Sequence, residues 1–210
     1  MDDPQKKFNQ AFNELCSGGR AGTRATVKKL AELIAAGASP SAMTIPLWSG
    51  GGGGNTSALI VAASRGWESL ISLFLLDETL DVDAVDVDGD HALLAALKSG
   101  RRAEANRLLP RSAVSRTKAS RESCLSVAIS GGLADEAKEI LERMSHAERQ
   151  QELEEMRERI LEGDGAASEK QLEAQMMAML LSKIEEEVLD RAADGAVEWR
   201  ASDQRRTRCL

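Results

Sequence analysis

Ala58 to Gly66 reads A-L-I-V-A-A-S-R-G, Ala92 to Gly100 reads A-L-L-A-A-L-K-S-G, and Cys124 to Gly132 reads C-L-S-V-A-I-S-G-G. The second copy lies 34 residues after the first and the third 32 after the second. In each, a Leu opens a short helix and small residues fill its middle. Glycine then closes it, at Gly66, Gly100 and Gly132, as the residue that takes a left-handed backbone without a steric cost. Past each glycine stands an apolar pair: Phe74-Leu75, Leu108-Leu109 and Ile140-Leu141. A fixed period of this length is the mark of stacked repeats. The spacing predicts helix, tight turn, helix in every unit.

Composition agrees with that reading. The chain has 210 residues, 42% of them hydrophobic, yet only 3% are aromatic and none is Tyr. Its core must therefore be built from Ala, Leu, Ile, Val and Met between closely packed helices, an all-α class. Ala62, Ala63, Ala95, Ala96 and Ala128 supply the small contacts that such packing requires. A net charge of −7 argues against general nucleic-acid binding. The start M-D-D-P-Q-K-K-F has no apolar leader, and no run approaches the roughly 18 apolar residues of a membrane span. Cys16, Cys124 and Cys209 form no metal-ligand spacing with His91 or His146, and Cys209 is misplaced for a prenylation box. These features predict no metal, no cofactor, no membrane span, and a cytoplasmic or nuclear setting.

Two stretches invite a different chemistry. W-S-G-G-G-G-G-N-T-S at Trp48 to Ser57 suggests a phosphate-binding loop at Gly50–Gly54, with a nucleotide as ligand. That loop needs a Lys before its hydroxyl residue; with Thr56 as the hydroxyl, Asn55 stands in its place. D-V-D-A-V-D-V-D-G-D at Asp81 to Asp90 suggests a calcium loop. Setting its glycine at Gly89 puts Ala84 and Ala95 at ligand positions, so a solvated acidic turn is the reading preferred.

The repeats resemble the ankyrin family. Asp81-Val82-Asp83-Ala84 stands at the family's D-V-N-A, while Asp86, Gly89, His91, Ala92 and Leu93 stand at D, G, T, P and L. An earlier unit ends L-I-A-A-G-A-S-P-S-A at Leu33 to Ala42. No proline opens a first helix, and T-P-L-H is nowhere intact. The resemblance implies an α-solenoid of about four to five helix-turn-helix units with short hairpin fingers, presenting a concave surface. Residues 1–24 read as an N-terminal helix or cap, and 25–144 as the repeats with a long glycine-rich finger at 43–54. Residues 145–210 read as a C-terminal helical pair and terminal finger, or as a stretched repeat. Leu153, Met156, Ile160 and Leu161 predict an amphipathic helix there, and Ser168 with Gln171 a capping box for a second helix. Either the terminal finger caps the array or the chain is one part of a longer repeat protein.

The family's contact residues lie on finger tips and on the exposed side of the first helix. Carried over by frame, they are Thr56, Ser64 and Arg65; Val85, Val87, Asp88, Asp90, Lys98 and Ser99; then Ser120, Glu122 and Ser130. Trp48 joins them, as an aromatic in an insertion where burial is hard to arrange. His91, at the family's Thr position, is expected to bond locally and brace its turn. The basic stretch K-S-G-R-R at Lys98 to Arg102, continuing through Arg107, Arg111, Arg116, Lys118 and Arg121, reads as a solvated surface or as a site for an acidic partner or phosphate groups. Met176 to Leu181 reads as core rather than an adaptable groove, and Trp67 as either a packing residue or an exposed anchor. The function implied is a non-catalytic module binding a protein partner. The alternative is a non-catalytic regulatory segment of a larger enzyme or channel.

Overall fold

A computed structural model describes residues 3–17, 24–42, 45–46, 55–114 and 122–162, with 174, 178–180 and 182–183 beyond them. The chain divides into two units, Met1–Ile140 and Leu141–Leu210. The first begins with α1 (Pro4–Ser17) and α2 (Arg24–Ala35), followed by the paired residues β1 (Ile45–Pro46) and β2 (Asn55–Thr56). Three helix pairs come next: α3 (Ala58–Arg65) with α4 (Glu68–Phe74), α5 (Ala92–Lys98) with α6 (Arg102–Leu108), and α7 (Cys124–Ser130) with α8 (Ala134–Arg143), whose last residues enter the second unit.

The helices stack in two layers. α3 packs on α5 and α5 on α7, while α2 packs on α4 and α4 on α6; within units, α1 meets α2, α3 meets α4, and α5 meets α6. This is the all-α, helix-turn-helix solenoid that the repeats predict. Ala62, Ala63, Ala92 and Ala96 are buried at the seams with Leu59, Leu93, Leu97 and Leu125. Most repeat helices are only seven or eight residues long. Isolated helices that short do not persist in water. Their stability is tertiary: each fully buried Leu contributes about 1.5–3 kcal/mol.

Local signals set where each helix starts and stops. Ser57 caps α3 by accepting the Ile60 N–H, and Ser123 caps α7 in a reciprocal pair with Ser126. The glycine turns share one geometry. Gly66, Gly100 and Gly132 have φ of 74°, 64° and 68°, and the next residue's N–H returns to the helix: Trp67 to Ala62, Arg101 to Ala96, Leu133 to Ala128, all at 2.8–2.9 Å. Gly37 makes the same turn after α2, where the Ala38 N–H donates to Leu33 O at 3.0 Å.

All three phenylalanines gather at the N-terminal end. Phe8 stacks on Phe12, Phe8 meets Phe74, and Phe12 meets the edge of Trp67, with ring centroids 5.8–6.1 Å apart. Trp67 is thus a half-buried packing residue. In the second unit, Ser145 and Glu148 form a reciprocal cap on α9 (His146–Glu162). There Arg149 is buried, with its guanidinium donating to Leu141 O at 2.9 Å and to Met144 O. Leu153 is buried as the amphipathic pattern predicts, and Leu180 is buried too. The capping box at Ser168, Met176–Met177 and the terminal finger lie outside the described residues.

Candidate functional site

Stacking aligns the ends of the first helices. Ser64, Lys98 and Ser130 are equivalent positions of α3, α5 and α7, and the same packing that joins these helices sets the three ends in one row. The Ser64 and Ser130 hydroxyls each donate to the carbonyl three residues back, at 3.0 Å. Ser130 and Ser99 are exposed, and Ser64 is half-buried. Arg65 is exposed but engaged. It donates to Cys16 O at 3.2 Å and lies 5.1 Å over the Trp67 ring, tying α1 to the first repeat. Burial pushes the Cys16 thiol pKa up, against the opposing charge of Arg65.

Lys98 is the hub of the row. Its ammonium donates to both Asp90 carboxylate oxygens, at 2.9 and 2.8 Å, and pairs with Glu122 at 3.0 Å. Burial works against the charge, but the hydrogen bonds to Asp90 and Glu122 outweigh it and raise the Lys98 pKa. Three residues carried over by frame are therefore one charge cluster joining two units.

The finger between α4 and α5 is held from inside. The Asp86 carboxylate accepts from the Asp88 and Asp90 N–H groups, each at 3.0 Å, while Gly89 N–H closes the turn onto Asp86 O. Burial raises the Asp86 pKa against those two bonds. Asp81 accepts the Asp83 N–H at 3.1 Å, and Asp83 reaches the Ala113 N–H of the next unit at 2.7 Å. Val85 and Val87 stay exposed at the tip, at 37% and 61%, beside an exposed Asp88.

Thr56 is a correction: it is 1% exposed. The β1–β2 register sets it opposite Ile45, and it leads directly into the buried cap Ser57, so its side chain turns into the repeat rather than toward a partner. Trp48 and Ser120 lie outside the described residues. His91 is a second correction. At its position Ser57 and Ser123 cap their helices, but His91 makes no side-chain cap. It reaches across units instead, with Nε2 3.6 Å from Cys124 Sγ, both residues being buried. Burial pulls its pKa down, opposed by Asp83 and Asp90.

Over its described part the basic run is exposed at Lys98, Arg101, Arg102 and Arg107 and half-buried at Arg111, yet several of its side chains pair within the protein. Arg102 binds Glu136 at 2.9 Å and Asp135 at 3.0 Å; Arg107 binds Ser72 at 2.7 Å and Glu68; Arg111 donates to Leu75 O and Asp77 O at 2.8 and 3.0 Å. These bonds stitch second helices together across units. Burial alone would raise the Glu136 pKa, but the Arg102 bond outweighs it and holds the carboxyl low. The missed signal was the repeat period itself, since Arg102 and Glu136 stand 34 residues apart.

A phosphate loop runs straight into a helix, whereas here the residues after the glycines pair antiparallel with Ile45–Pro46, and α3 begins only at Ala58. Among the described residues, no three His, Cys, Asp or Glu side chains are grouped to hold a metal. Nor is any described helix long and apolar enough to cross a membrane.

No family model matches the chain, and no curated protein matches it. Among solved structures it is similar to the ankyrin repeat domain of Bcl-3, described as a unique member of the IkappaB protein family. That likeness covers 68% of this chain and 71% of that one, at 21% identity and a TM-score of 0.44.

Proposed function

We propose that this chain is a protein–protein interaction module that performs no catalysis. It engages a folded partner or peptide through the first-helix ends Ser64, Arg65, Lys98, Ser99 and Ser130, with Glu122 and the finger residues Val85, Val87, Asp88 and Asp90. The observation that supports this reading is the stacking of α3 on α5 and α5 on α7, with Lys98 and Ser130 exposed at the helix ends and Val85 and Val87 exposed on the finger. A surface of this kind changes specificity by changing exposed side chains while the fold stays constant. Trp48, which lies in the sequence between β1 and β2, belongs to the same proposal.

The test is affinity capture from native lysate with the wild-type chain and a Val87→Ser, Ser99→Glu, Ser130→Glu variant. The expected result is a protein retained by the wild type and lost by the variant, with the far-ultraviolet circular dichroism of the two superimposed. A captured protein indifferent to all three changes, or no captured protein at all, overturns the proposal.

A further inference from the structure

The finger between α4 and α5 departs from the rest of the surface in two independent ways. The run from Asp77 to Asp90 carries seven acidic residues and no Lys or Arg. The same stretch, with its preceding residue, holds every exposed large hydrophobic side chain among the described residues: Leu76 at 79%, Val85 at 37% and Val87 at 61%. Among the other described residues of the first unit, large aliphatic side chains are buried or half-buried. Within the finger Leu80 and Val82 are buried as its anchors, so the outward valines are not a side effect of a loose loop.

The acids split into two sets. Asp77 accepts from the Thr79 N–H and hydroxyl, Asp86 is spent inside the turn, Asp90 is paired with Lys98, and Asp83 is bonded to Ala113 of the next unit. Arg111 reaches the carbonyl groups at the root of the finger rather than its carboxylates. Glu78, Asp81 and Asp88 remain exposed. The tip is held by backbone bonds before any partner arrives, so little conformational freedom is lost on docking.

We infer that this finger docks a protein segment in which lysine or arginine alternates with aliphatic residues. The inference rests on the protein-binding reading and adds the chemistry of the partner. Positive charge answers Glu78, Asp81 and Asp88, while the aliphatic groups cover Val85 and Val87. Complementary charge of this kind steers encounter, and apolar burial holds the complex. Nucleic acids and anionic lipid surfaces carry the wrong sign.

The test uses the full chain and two fluorescein-labelled decapeptides, one alternating Lys with Val and one alternating Glu with Val, followed by anisotropy. The Lys–Val peptide is expected to bind and the Glu–Val peptide not to. Raising salt from about 50 to about 500 mM should weaken binding as the charges are screened. Val85→Ser with Val87→Ser, and separately Glu78→Lys with Asp88→Lys, should each weaken it about tenfold, equivalent to 1.4 kcal/mol. Glu139→Lys with Glu142→Lys, an equal charge reversal on α8, should leave it within about twofold, a change of under half that free energy. Equal binding of both peptides, or a loss of equal size from the α8 reversal, overturns the inference. A lysate partner lost by the Val87 variant but retained undiminished at high salt would overturn the basic chemistry alone and leave the interaction role standing.

Discussion

Gly66 and Gly100 hold the same place in successive units, yet an added methyl group would meet different surroundings. At Gly100 nothing lies within 4 Å of an added Cβ, whereas at Gly66 the Arg101 side chain lies at 3.1 Å. Gly100→Ala should therefore cost only the left-handed backbone penalty, about 1–2 kcal/mol. Gly66→Ala should cost at least as much, with the excess removed in an Arg101→Ala background; urea unfolding of the wild type and the four variants measures both. His91 makes a pH prediction. Its folded pKa lies below the ordinary 6.5, chiefly through burial, so the unfolded chain takes up a proton that the folded chain refuses. Stability should then fall as pH drops below about 6.5, and His91→Gln should flatten that slope in urea midpoints taken across the window. Glycine turns were legible at this scale because each depends on a few neighbouring residues, whereas the serine caps at Ser57 and Ser123 were seen only in the structure. The burial of Thr56 and the reach of His91 to Cys124 were not legible, since the surroundings of both come from elsewhere in the chain.

At the scale of elements, the repeat helices are joined by side chains about one period apart. Arg102 on α6 holds the 1% exposed Glu136 of α8, and the ends of Gln5 hold the backbone of Ser39. Removing Arg102 leaves Glu136 buried without its cation, which is more disruptive than removing both. Arg102→Met should therefore destabilise the chain, and Arg102→Met with Glu136→Met should recover part of the loss in a double-mutant cycle read by thermal unfolding. In a single sequence these arginines look like a basic patch. Their role becomes visible only when the period is laid across opposite charges, and Arg111, which binds carbonyl oxygens, escapes even that search. The aromatic cluster was equally hidden, because Phe8 and Phe74 meet only after α1 and α4 have folded to the same end.

At the scale of the whole molecule, the stretch between β1 and β2 makes a prediction about what the fold requires. The pairing of Ile45 with Thr56 and Pro46 with Asn55 closes its root, so replacing residues 47–54 by Asn-Gly, the two-residue turn that suits a hairpin, should leave helical content and the urea midpoint nearly unchanged. If Trp48 belongs to the binding surface, partner retention in affinity capture should fall in the same protein. Retention equal to that of the wild type would remove Trp48 from the proposed set. The sequence by itself determined the period, the helix pairs, the glycine turns and the small-residue seams, because these follow from backbone preference and hydrophobic spacing within one unit. Only the tertiary structure decided which polar residues face outward and which are spent on the neighbouring unit. Lys98, Arg102 and Arg111 read alike as exposed cations, and the stacking of one unit on the next supplies the carboxylates and carbonyl oxygens that occupy them.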